Sequence, residues 1–192
     1  LANRGADPIE VFLDSVSYIM SQHNFRDRPH SAATFAEVDP AKSISFYKSR
    51  FADASDFPFV FVGNVDTTAL KPLVETYLAS LPTVARKDAY VDRGGAPPSG
   101  VVQSVVHKGT EPKANTMMFF TGSCTYNPQT RVVMRALTTL VQTKLNETLR
   151  EKLGGTYSPN VGGGCSREPR QEYSIQVTFG SSPDNVEPLY KA

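Results

Sequence analysis

The chain is poor in the residues from which self-contained active sites are built. Its 192 residues include three histidines and two cysteines. His23, His30 and His107 stand in Gln-His-Asn, Pro-His-Ser and Val-His-Lys settings, and none shares a helical face with a second His or a Glu. Zinc hydrolysis needs neutral imidazoles together with a carboxylate that orients water, so a zinc site complete within this chain is not expected. Cys124 and Cys165 lack metal-ligand spacing and allow at most one disulfide, whose geometry a sequence does not reveal. No Gly-x-Ser-x-Gly elbow occurs, and neither cysteine has a histidine near it in sequence. Gly94-Gly95 and Gly162-Gly-Gly164 lack the Gly-Lys-Ser/Thr of a phosphate loop and read as flexible turns.

Charge of one sign is scarce too. A formal net charge of +1 with both signs interspersed offers no field for nucleic acid or an anionic membrane surface to follow. No apolar run approaches the roughly 18 to 20 residues that span a bilayer. The start, Leu1-Ala-Asn-Arg, is neither a signal peptide nor an initiator and reads as that of a fragment. The compartment stays open.

What is present is a globular composition, 40% hydrophobic, with clear punctuation. Asp7-Pro8 and Asp39-Pro40 pair a capping carboxylate with a proline at the first helical position. Ile9, Phe12, Leu13, Val16, Ile19 and Met20 supply the stripe of the first helix; Ile44, Phe46, Tyr47 and Phe51 that of a second, ending near Ala52. The stretch 57–65, Phe-Pro-Phe-Val-Phe-Val-Gly-Asn-Val, predicts a strand buried on both faces. Asp66 then opens a helix whose Leu70, Leu73, Val74, Tyr77, Leu78 and Leu81 form a stripe, with Pro72 implying a late start or a bend.

Charged and small residues culminating in Gly94-Gly-Ala-Pro-Pro-Ser-Gly100 place a linker at 83–100 between a unit over 1–82 and another over 101–192. In the second unit, 101–107 and 116–120 predict strands that a short connection allows to pair. Asn127-Pro128 starts the longest helix, in which Val133, Leu137, Val141, Leu145, Leu149 and Leu153 step by four until Gly154-Gly155 stops it. Tyr173, Ile175, Val177 and Phe179 alternate with Ser174, Gln176 and Thr178 as a strand with one wet face. Pro183-Asp184 opens a helix cut at Ala192, on which no core is expected to close. The mixed order of elements predicts an α+β fold of sheet and helix layers.

The most informative segment is 149–159, Leu-Arg-Glu-Lys-Leu-Gly-Gly-Thr-Tyr-Ser-Pro, which sets Arg150 and Tyr157 seven positions apart across the helix stop. On local grounds Arg150 is a cation suited to a helix C-terminus and within reach of Glu147, and Tyr157 a half-buried strand aromatic. The segment also resembles the corresponding run in the C-terminal half of pitrilysin and insulinase type zinc peptidases. Three further blocks resemble that family in the same order: Phe46-Tyr-Lys-Ser-Arg-Phe51 ahead of the 57–65 stretch, Leu70-Lys-Pro-Leu-Val-Glu-Thr-Tyr-Leu-Ala-Ser-Leu-Pro82, and Pro112-Lys-Ala-Asn-Thr116 before the long helix.

The resemblance implies a LuxS/MPP-like metallohydrolase sheet with helices, here the end of one domain and the start of the next. It places the chain in the zinc-free half, because the family's HxxEH motif occurs nowhere in it. By that resemblance Arg150 bonds the backbone or terminus of a peptide or unfolded protein, and Tyr157 donates towards the scissile carbonyl. Zinc and the general base belong to an N-terminal catalytic half in the same or a partner chain. The Gly155-Thr156 pair departs from the bulkier residues of many members. The alternative the resemblance leaves is a non-catalytic relative, similar to the zinc-free subunits of mitochondrial processing peptidase or of respiratory complexes, that serves assembly or peptide capture.

Overall fold

The computed structural model describes residues 4–84, 86–87, 89–154 and 159–192. Helix starts follow from one repeated chemistry, a side-chain oxygen that accepts from otherwise orphaned N–H groups. Asp7 caps α1 (Pro8–Met20) through the Ile9 and Glu10 amides. Ser31 and Thr34 form a reciprocal capping box at the short α2 (Ala32–Ala36). Asp39 caps α3 (Pro40–Phe51), and Asp66 caps α4 (Thr67–Tyr77). Pro72 therefore lies inside α4, which rules out a late start. Replacing one such cap with alanine typically costs about 1 kcal/mol.

The sheet lies entirely in the second half. β1 (Ala114–Ser123), β2 (Asn160–Ser166) and β3 (Glu172–Ser181) stand in the order β1-β3-β2, with β3 antiparallel to both neighbours. β1 and β2 therefore run the same way, and a chain that leaves one and enters the other must cross back. That return is α5 (Pro128–Leu145), capped by Asn127, which packs along β2. β3 is central because its apolar residues alternate: Val177 and Phe179 are buried, while Ser174 between Tyr173 and Ile175 is exposed. They form a small core with Leu149 and Leu189, flanked by Met118, Leu145 and Val161. Fully burying one such side chain contributes about 1.5–3 kcal/mol.

Several expectations are overturned. Residues 57–65 form no strand, and Val60 and Val62 are 79% and 92% exposed. Residues 101–107 likewise form no strand, and the partner of β1 is β3. In both cases the apolar pattern is that of a strand, but a strand needs a ladder partner, and these segments meet none among the described residues. Conversely, Gly162, Gly163 and Gly164 lie within β2 instead of forming a turn. A core does close on the last helix, α6 (Val186–Lys191), through Leu189 at 3% exposure. The architecture is α+β, as the order of elements predicts.

Long-range bonds hold the surrounding segments. Cys124, just beyond β1, is disulfide-bonded to Cys165 of β2 with Cα atoms 6.3 Å apart, so the two outer strands are tied together. Buried Asp53, after α3, accepts from the amide and hydroxyl of Ser55 and from the Arg86 N–H. The Ser55 hydroxyl first, and the Arg86 N–H next, hold its carboxyl far below the usual carboxylate range. Residues 92–97 are held by Gln22 and Asn24 side chains on the Ala96 and Arg93 carbonyls, and by Asp92, which meets Arg170 at 2.6 Å.

Candidate functional site

The helix that leads away from the sheet ends in an unusual winding. After Leu145 the chain continues as a π-helical turn over Asn146–Lys152, with Leu153 N–H bonding Thr148 C=O five residues back. The leucines spaced by four predict an unbroken α-helix to Leu153, and here the structure departs from them. A wider turn advances each residue through a smaller angle, so the stripe drifts. Leu149 is 1% exposed and is the most deeply buried side chain of the core, while Leu153 is half exposed. Gly154 then takes φ +60, a left-handed conformation suited to glycine, and its N–H bonds Arg150 C=O.

Arg150 follows the buried Leu149 directly. Its backbone is thereby fixed by the core while its side chain is exposed. Glu147, the partner that spacing offers it, receives Lys144 Nζ at 2.8 Å. Tyr157, the other residue singled out, lies outside the described residues, so its relation to Arg150 rests on the sequence alone.

Pro159 and Val161 are held from α5. Gln142, partly buried on α5, donates from Nε2 to Pro159 C=O at 2.6 Å and accepts the Val161 N–H on Oε1 at 2.8 Å. The same Nε2 lies 3.3 Å from Asn146 Oδ1, at the first residue of the π-helical turn. Sequence reading missed Gln142. Its neighbours one turn away are Thr138, Thr139, Leu145 and Asn146, so no apolar stripe marked it out.

The histidines stand apart from this region. His23 packs edge-on against Tyr18 at the end of α1, and His30 and His107 are exposed on the chain outside any strand or helix. Among the described residues no three His, Cys, Asp or Glu side chains gather where they could hold a metal. The donor set here does not fit zinc. No described helix is long and apolar enough to cross a membrane.

Comparison with known proteins adds a family. Residues 37–192 match the peptidase M16 inactive domain. The chain is 27% identical over 195 aligned residues to an Arabidopsis thaliana zinc protease PQQL-like protein, covering 94% of this chain and 20% of the relative. It is 30% identical to a probable zinc protease PqqL of Haemophilus influenzae, covering 74% of this chain and 15% of the relative. Two solved structures share its fold: the ferredoxin protease FusC in complex with Arabidopsis ferredoxin, at TM-score 0.78 and 18% identity, and the periplasmic protease PqqL of Escherichia coli, at 0.77 and 23%. Each is covered over 99% of this chain but only 20% and 21% of its own length. The chain thus spans about a fifth of the solved relatives.

Proposed function

This chain belongs to the M16 peptidases, matching their inactive domain, and on that premise we propose that it is the substrate-holding, zinc-free part of a zinc metalloendopeptidase. The observation that carries the reading is Arg150, an exposed guanidinium beside the most buried residue of the core. A cation so placed can hold a peptide carbonyl or carboxylate without first ordering its own backbone.

In this reading Arg150 bonds the backbone or C-terminus of an extended peptide. Tyr157 donates a hydrogen bond to the scissile carbonyl oxygen as negative charge grows there. Zinc and the base that activates water come from a separate N-terminal half, because the histidines here do not fit the metal. The substrate class is peptide or unfolded protein. A protein of similar fold, the ferredoxin protease FusC, is solved in complex with ferredoxin, which supports a protein as substrate.

The test joins this chain to the zinc-bearing half and compares wild type with Arg150→Ala and Tyr157→Phe on unstructured peptides. Loss of Tyr157 as a donor to the transition state raises the barrier by about 2.7 to 4 kcal/mol, read as a fall in kcat. Loss of Arg150 weakens binding and appears in kcat/KM. Unchanged kinetics in both variants would refute the assignment.

A further inference from the structure

We infer that residues 57–65 are an attachment strand, which inserts into an open β-sheet carried by the remaining domains of the peptidase, in the same or a partner chain. The segment has no charged residue. Phe57, Phe59, Val60, Phe61, Val62 and Val65 are all exposed, although a run so apolar is one that water disfavours. In a strand, odd and even residues point to opposite faces, so Phe59 and Phe61 would line one and Val60 and Val62 the other. Both faces are apolar. A strand of this kind belongs inside a sheet that is covered on both sides.

The backbone is as free as the side chains. Phe57 N–H bonds Ala54 C=O, and from Pro58 to Val65 no backbone group has a hydrogen bond among the described residues. Both edges are therefore open to a neighbouring strand. The flanking helices hold the segment at its ends. Phe51 of α3 meets the Phe57 ring edge-on, with centroids 5.7 Å apart, and Ala54 N–H bonds Pro82 C=O at 2.9 Å, so the chain leaves and returns at one place. Phe46 and Tyr47 of α3 and Leu73 and Tyr77 of α4 are exposed as well. Helix, segment and helix thus form one slice of a layered fold that lacks its sheet.

The same features select the partner. A second copy paired about a two-fold axis would cover one edge of the segment, leaving the other edge and both faces in water. A sheet with its own helix layers covers all of them. The chain spans about a fifth of the solved relatives, so most of such a peptidase lies outside it and can supply that sheet. The lack of charge along 57–65 suits an apolar interior and offers nothing to an ionic partner.

The experiment takes the complete peptidase that carries this sequence and follows amide exchange across 57–65 by mass spectrometry. Inserted in a sheet, these amides should exchange on the order of a thousandfold or more slowly than in an unstructured peptide of the same sequence. Exchange at the unstructured rate would overturn the inference. Protection that disappears on dilution would overturn it too, since the cover would then be a second copy. Phe61→Asp and Val62→Asp test the two faces separately, because each drives a charge into a covered layer, and each should speed exchange of the segment on the order of tenfold or more. An effect from one of them alone would show a strand with one wet face, against the insertion. Should either variant fail to fold, exchange in the wild type decides without it. Neither readout depends on the kinetics of Arg150 or Tyr157, so failure here leaves the proposed function untouched.

Discussion

Asp53 shows how much one side chain can organise. It joins the end of α3 to Ser55 and to Arg86, and its carboxyl is held ionised by hydrogen bonds that only the anion can accept so fully. Its folded pKa lies below the unfolded value, so between the two the unfolded chain binds more protons. Stability from this group is complete above the ordinary carboxylate range, near pH 4, and is lost as pH falls towards the folded pKa. Asp53→Asn should remove that pH dependence. Urea midpoints measured from pH 6 down to pH 3 would draw closer for wild type and variant as pH falls, and parallel curves would contradict the assignment. A sequence marks Asp39, Asp66 and Asn127 as caps because the amides they serve lie within three residues. It does not mark Asp53 or Gln142, whose partners Arg86, Pro159 and Val161 lie 33, 17 and 19 residues away.

At the scale of elements, β2 and the π-helical turn carry the largest departures. Gly163 is in β2 with φ +148, and a Cβ added there would sit 2.1 Å from Ser174 O and 2.8 Å from Ile175 Cα. Only glycine allows β3 to approach so closely. Gly162 is next to it, and a Cβ there would meet nothing within 4 Å. Gly163→Ala should therefore destabilise by about 1–3 kcal/mol, while Gly162→Ala is neutral or slightly stabilising. Chemical denaturation decides it, and equal losses at the two positions would contradict the packing argument. A run of glycines carries no side-chain period, which is why it reads as a turn. The leucines spaced by four do carry one, yet their last turn is π, because the stripe has to deliver Leu149 to Val177 and Phe179. Helix starts and the stop at Gly154 were legible; the winding between Asn146 and Lys152 was not.

Over the whole molecule, the described buried hydrophobic side chains fall from Met134 onward, and the apolar residues of α3 and of 57–65 are exposed. With so small a core, a covalent tie matters. The Cys124–Cys165 disulfide closes a sequence separation of 41 residues, and replacing both cysteines with serine should lower stability by about 2–4 kcal/mol, measured by urea unfolding. Unchanged stability would show that the sheet holds its outer strands without the bond. The sequence by itself determined the helix caps, the alternation of β3, the helix stop and the family to which the segment around Arg150 belongs, because each of these rests on residues near one another along the chain. Only the tertiary structure decided which apolar segments become strands, that the two cysteines meet, and that Gln142 joins the two sides of the helix stop. Those outcomes depend on contacts between residues distant in sequence, and on whether a ladder or core partner is present to receive them.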